Sequence, residues 1–116
     1  MRLRFIYQPV ADIDAAAAFY RDTLGLEPDW QEGPNTMAFK LPGSNIAIML
    51  DRDPGEGTTG PFFVVDDVLS FYEENRDRLS FIEPPQRIPP GMYARFRDPS
   101  GNIIRVMDDT SSREHG

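Results

Sequence analysis

Nucleophilic and metal-centred chemistry both need residue types that this chain nearly lacks. It has no cysteine, and its one histidine is His115 in the polar C-terminal tail. Disulfides, thiolate metal sites and cysteine nucleophiles are therefore excluded. Ser44, Ser70, Ser80 and Ser100 have no histidine in the folded part of the chain to take a proton, so a Ser-His-Asp set cannot be built. Asp51 and Asp108 each end an apolar run and are the carboxylates best placed for acid–base work. Solvated strand ends are the plainer reading of both. Two loops imitate ligand motifs. Gly55-Glu56-Gly57-Thr58-Thr59-Gly60 has dinucleotide-loop spacing. A dinucleotide loop must open a helix, however, and here Pro61 and a β-type run follow, while Glu56 would repel phosphate. The stretch reads as a flexible linker. Asp51-Arg52-Asp53 begins like a calcium loop, but its glycine falls one place early and Phe62 stands where the bidentate glutamate belongs.

Charge narrows the partners further. Lys and Arg total 12 against 19 Asp and Glu, a formal net charge of −7 with no basic run. Nucleic acids and anionic membranes both require a basic face to displace counterions, so neither is an expected partner. No apolar run approaches the roughly 20 residues of a membrane span. The opening Met1-Arg2-Leu3-Arg4-Phe5-Ile6-Tyr7 reads as a strand rather than a signal peptide. A cytoplasmic protein is expected.

The elements that must position any site come in two similar sets. Met1 to Pro9 is extended; Asp12 and Asp14 can cap a helix whose apolar stripe is Ile13, Ala16, Ala17, Tyr20 and Leu24, ended by Gly25. Strand-like runs follow at 29–32, 36–41 and 45–50, with Pro42-Gly43 as a turn. The order then repeats. Phe62 to Val65 is extended; Asp66 and Asp67 can cap a helix with Val68, Phe71, Tyr72 and Leu79 on one face; Pro84-Pro85 stops it. Met92 to Arg97 and Asn102 to Met107 form a hairpin about Asp98-Pro99-Ser100-Gly101. Phe19-Tyr20 answers Phe71-Tyr72 at the spacing that relates Asp14 to Asp66, which suggests duplication of one unit: strand, helix, three strands. Module 1 spans about 1–53, the Gly-rich linker 54–60, module 2 about 61–108, and a frayed tail 109–116. Two such sheets side by side can curve around a common concave face.

Phe19-Tyr20-Arg21-Asp22-Thr23-Leu24-Gly25-Leu26 and Phe96-Arg97-Asp98-Pro99-Ser100-Gly101-Asn102-Ile103-Ile104 resemble two motifs of the glyoxalase/bleomycin-resistance/dioxygenase superfamily, also called the vicinal oxygen chelate family. The resemblance covers roughly residues 2–108. It implies an α+β fold in which two βαβββ modules form a cup-shaped mixed sheet, helices outside and ligand inside, usually as a homodimer. It also implies four cup positions that commonly hold a divalent metal. Counted along this chain they fall on Phe5, Gly60, Arg105 and either Ile48 or Met49. None offers a carboxylate or imidazole, and Arg105 is a fixed positive charge. No metal and no other cofactor is therefore expected.

Strand alternation fills in the lining. Tyr7 shares a face with Phe5, and Ile103 and Met107 share one with Arg105. With 98–102 as the loop, Arg95 lies opposite Arg105, and Tyr93 faces the cup with it. The expected ligand-binding set is Phe5, Tyr7, Ile48, Tyr93, Arg95, Ile103, Arg105 and Met107, with Ile46, Trp30 and Phe39 in second rank. Aromatic, aliphatic and cationic groups together suit a flat organic ligand, anionic or carbonyl-rich. The expected function is metal-independent binding of a small molecule of the bleomycin-resistance type. The alternative is an enzyme of the same superfamily, a lyase, isomerase or dioxygenase-like protein, in which Arg105 stabilises developing negative charge. A third reading is a module whose cup is closed by its own side chains.

Overall fold

A computed structural model describes residues 1–53 and 57–110. Pro54 to Glu56 of the linker and residues 111–116, with His115, lie outside the described residues. The chain divides into two compact units, residues 4–59 and residues 1–3 with 60–116. Among the described residues, nine strands and two short helices make the expected α+β fold.

In the N-terminal unit, β1 (Arg2–Val10, joining this unit from Arg4) leads into α1 (Ile13–Ala18). Asp12 caps α1 by accepting the Ala15 N–H, satisfying one of the donors a helix start leaves open. The helix then widens into a π-helical turn over Phe19–Thr23 and stops at Gly25, whose φ of 72° is left-handed. β2 (Pro28–Glu32), β3 (Thr36–Lys40) and β4 (Ala47–Arg52) follow. The strand order is β2-β3-β4-β1, antiparallel except for the parallel β1–β4 pair. Ala17, Phe39 and Leu50 centre the core under α1, with Ile13, Tyr20, Met37 and Ile48 packed around them.

The C-terminal unit repeats the plan. β5 (Gly60–Val64) leads to α2 (Val68–Asn75), capped by Asp67, whose carboxylate accepts the Ser70 N–H. Here the sequence reading needs correction. The helix ends at Asn75, because the N–H groups of Arg78 and Leu79 both turn back to the Asn75 carbonyl. Leu79 thus reaches the core from beyond the helix. The stretch read only as a proline stop contains two short strands, β6 (Ser80–Phe81) and β7 (Gln86–Ile88). β8 (Gly91–Arg97) and β9 (Ile103–Met107) complete the unit. The order is β5-β9-β8-β6, with β7 also paired to β8. Val65, Val68, Ala94, Phe96 and Val106 form the core on the α2 side. Among the described residues no helix is long and apolar enough to cross a membrane.

Candidate functional site

In both units the sheet face turned away from the helix carries most of the residues singled out by sequence, though not Ile48 or Phe39. In the C-terminal unit, Ala94, Phe96, Ile104 and Val106 pack on the α2 side. Alternation therefore puts Tyr93, Arg95, Ile103, Arg105 and Met107 on the opposite face. The hairpin register is the expected one, with Arg97 opposite Ile103 and Arg95 opposite Arg105. Phe62 of β5 also pairs with Arg105 and brings its ring 5.6 Å from that of Tyr93.

Arg105 is the largest fully buried side chain among the described residues, only 1% exposed. Burying a guanidinium costs several kcal/mol unless its donors are met, so its retention on this face calls for partners. The Tyr93 phenol is one neighbour, close enough for its ionisation to feel the Arg105 charge. Burial pushes the Tyr93 hydroxyl above its ordinary pKa, while the positive charges of Arg105 and Arg95 hold it back; burial prevails. Arg95 is differently employed. Its Nε and Nη2 donate to the two carboxylate oxygens of Glu83, both at 2.8 Å, a bidentate clamp. That hydrogen bonding keeps the Glu83 carboxyl below its ordinary value against the opposing effect of burial. Sequence reasoning missed Glu83, which lies in a proline-rich stretch with no periodicity to give it a face.

In the N-terminal unit the same face carries Phe5 and Tyr7, 5% and 6% exposed, and Trp30, edge-on to Phe5 at 5.7 Å. The register Tyr7–Met49–Ala38–Trp30 runs across four strands as one rung. Two sequence expectations change here. Ile48 packs in the helix-side core and Met49, buried, takes the face turned away from the helix. Phe39 is likewise on the helix side, stacked on Tyr20 at 5.9 Å. Ile46 precedes β4 and lines a groove of about 590 Å³ with Arg4, Glu27, Asp29 and Lys40. The charges in that groove are mutually satisfied, Arg4 with Asp29 and Lys40 with Glu27.

Neither strand-end aspartate is simply solvated. Asp51 accepts the Tyr7 hydroxyl on Oδ2 at 2.5 Å and the Thr36 hydroxyl on Oδ1 at 2.7 Å. Asp108 is fully buried and accepts the backbone N–H groups of Val68 (2.7 Å), Met92 (2.8 Å) and Thr110 (3.1 Å) and the Thr110 hydroxyl (2.8 Å). Burial pushes its carboxyl up, yet those donors outweigh it and the net pKa is below the ordinary value. With every neighbour donating to it, Asp108 is a tie between α2, β8 and the end of β9, not a proton-transfer group.

The residues at the family's metal positions do not fit a metal. Phe5, Gly60, Met49 and Arg105 supply a ring, no side chain, a thioether and a cation where a hard divalent ion needs oxygen or imidazole nitrogen. No group of three His, Cys, Asp or Glu able to hold a metal occurs among the described residues. What this face can do is bind and polarise: the guanidinium of Arg105 and the phenol of Tyr93 can hold an oxyanion or carbonyl against aromatic walls.

The family model described as the Glyoxalase/Bleomycin resistance protein/Dioxygenase superfamily matches residues 2–106. No curated protein matches. Among solved structures, an NAD-dependent benzaldehyde dehydrogenase from Legionella pneumophila shares 18% identity with a TM-score of 0.74, covering 90% of this chain and 96% of that one. Methylmalonyl-CoA epimerase from Mycobacterium tuberculosis shares 18% identity with a TM-score of 0.69, covering 99% and 92%. A superfamily member from Vibrio splendidus 12B01 shares 19% identity with a TM-score of 0.66, covering 90% and 95%. At such identities these likenesses speak for the fold alone. The family match spans nearly the whole chain, and the protein belongs to the glyoxalase/bleomycin resistance protein/dioxygenase superfamily.

Proposed function

We propose that this protein binds a small organic ligand, anionic or carbonyl-bearing, through Arg105, and that no metal takes part. The observation that carries the reading is Arg105 itself, a guanidinium 1% exposed on the face opposite the helices with the Tyr93 phenol beside it. A guanidinium is the side chain best suited to hold a carboxylate or enolate-like oxygen through its N–H groups. Phe62 and Tyr93 supply flat apolar walls beside it, and Ile103 and Met107 share its face. Arg95 contributes less, because the Glu83 clamp already neutralises it. Phe5, Tyr7 and Met49 give the N-terminal unit a comparable aromatic and thioether face. The reading includes a homodimer in the cytoplasm, with a two-fold contact covering strand edges.

Benzoate, followed by calorimetry in buffer with chelator, tests the proposal. Wild type should bind it without added metal, Arg105→Ala should weaken it by on the order of tenfold or more, and Arg105→Lys should recover part of the loss. Unchanged affinity in Arg105→Ala, or binding that needs a divalent ion, would overturn it.

A further inference from the structure

The groove of about 590 Å³ at one end of the N-terminal sheet has room for a ligand, and its charges select the kind. Arg4 of β1, Glu27 and Asp29 at the start of β2, and Lys40 at the end of β3 all line it. Gly25 and Gly43 border it too, and a Cβ added at either would meet nothing within 4 Å, so the flanks are open. Each charge has an opposite neighbour, but the pairs are wide. Arg4 Nη2 lies 3.8 Å from Asp29 and Lys40 Nζ lies 4.0 Å from Glu27, both beyond hydrogen-bond distance. Among the described residues no hydrogen bond reaches either carboxylate or leaves the Lys40 ammonium, and Arg4 gives one donor to the Asn45 carbonyl at 3.1 Å. Wide, partly exposed pairs contribute little, so a ligand group that takes the place of one member is admitted at little cost. A lone anion or a lone cation would meet as many like charges as opposite ones. A molecule carrying both signs finds a partner for each.

The register sets the spacing of the two signs. Phe5, Ala47 and Lys40 form one rung, with β4 between β1 and β3, and Arg4 is the neighbour of Phe5. Arg4 and Lys40 therefore stand two strand spacings apart, about 10 Å at the backbone. The two charges of a free amino acid are much closer than that. An extended peptide gains up to about 3.3–3.6 Å per residue, so about three residues bridge the gap with one terminus at each pair. Leu41, Pro42 and Ile46 give the groove apolar side chains for such a chain to lie on. We propose that this groove binds a short peptide free at both ends, its carboxylate on Arg4 and its ammonium on Glu27. The guanidinium takes the carboxylate because it can offer two N–H groups at once. Glu27 takes the amine because its side chain, 74% exposed, is the most accessible of the four. This site does not rest on Arg105 and stands or falls separately from the reading above.

Trialanine, its N-acetyl form and its C-terminal amide are the matched probes, titrated into labelled wild-type protein. Trialanine should move the amide resonances of Arg4, Lys40 and residues 44–47. Either blocked form should bind on the order of tenfold more weakly, and so should free alanine. Arg4→Gln should weaken trialanine and leave amidation without further effect, whereas Glu27→Gln should do the same for acetylation. Equal affinity of the free and blocked peptides, alanine bound as tightly as trialanine, or a blocking penalty that survives the matching substitution overturns the proposal. Should a variant fail to fold, the wild-type series decides alone: shifts that leave Arg4, Lys40 and residues 44–47 unmoved overturn it.

Discussion

Replacing Asp108 with alanine removes one side chain and leaves donors stranded on three segments. The carboxylate takes the Val68 N–H at the start of α2, the Met92 N–H at the start of β8, and both donors of Thr110. Asp108 is fully buried, so water does not simply take its place. A buried donor left without its acceptor costs about 1–3 kcal/mol. The Val68 and Met92 N–H groups together therefore set a loss of about 3 kcal/mol, with Thr110 adding less because it is only half-buried and water can replace the lost acceptor. With a urea m-value of about 1.5 kcal/mol/M, the unfolding midpoint falls by about 2 M. Asp108→Asn keeps the shape, loses the charge and turns an NH₂ toward N–H donors; it should lose about 2 kcal/mol. The effect is also acid-sensitive. The folded pKa lies below the ordinary 3.8, so the contribution is complete above that value and is lost as pH falls from it through the folded pKa. A loss under about 1 kcal/mol for Asp108→Ala in urea melts would refute this account of the carboxylate as a three-way tie.

Glu83→Gln should cost about 1 kcal/mol at neutral pH through the broken Arg95 clamp. Because the folded Glu83 pKa lies below its ordinary 4.5, urea melts of variant and wild type should converge as pH falls below that value. The Tyr93 phenol should titrate above its ordinary 10.0, and Arg105→Ala should raise it further by removing the charge that holds it down. Ultraviolet phenolate titration, with Tyr93→Phe to assign the signal, reads both effects; a downward move in Arg105→Ala would contradict the contact. Phe39→Ala, at a fully buried position stacked on Tyr20, should cost about 3–5 kcal/mol in the same urea melts. Gly60→Ala would place a Cβ 2.8 Å from the Ile103 carbonyl oxygen and should lower stability by about 1–3 kcal/mol, whereas a neutral result would show that β5 can shift.

How much of this was legible in the sequence depended on how local the cause is. The β8–β9 hairpin could be registered to the residue because its turn is self-contained. Asp98 accepts the Ser100 and Asn102 N–H groups and the Asn102 side chain, which fixes Arg97 against Ile103 and sends Tyr93, Arg95 and Arg105 to one face. The helix starts were equally plain, each marked by an aspartate that caps three residues on. Ile48 and Met49 could not be separated, since β4 is apolar on both faces and shows no alternation to read. β6 and β7 are two and three residues long, too short for any period. The roles of Asp51, Glu83 and Asp108 were hidden for a different reason. Their partners Tyr7, Arg95 and Val68 lie far along the chain, and only the folded register brings them together.

The most direct test of the central claim, metal-independent ligand binding at Arg105, is native mass spectrometry of freshly purified protein with neither metal nor chelator added, run beside Arg105→Ala. The account predicts a metal-free dimer of wild type carrying a small organic adduct, with the adduct lost from the variant. A stoichiometric divalent metal, or an adduct retained equally by Arg105→Ala, would contradict it.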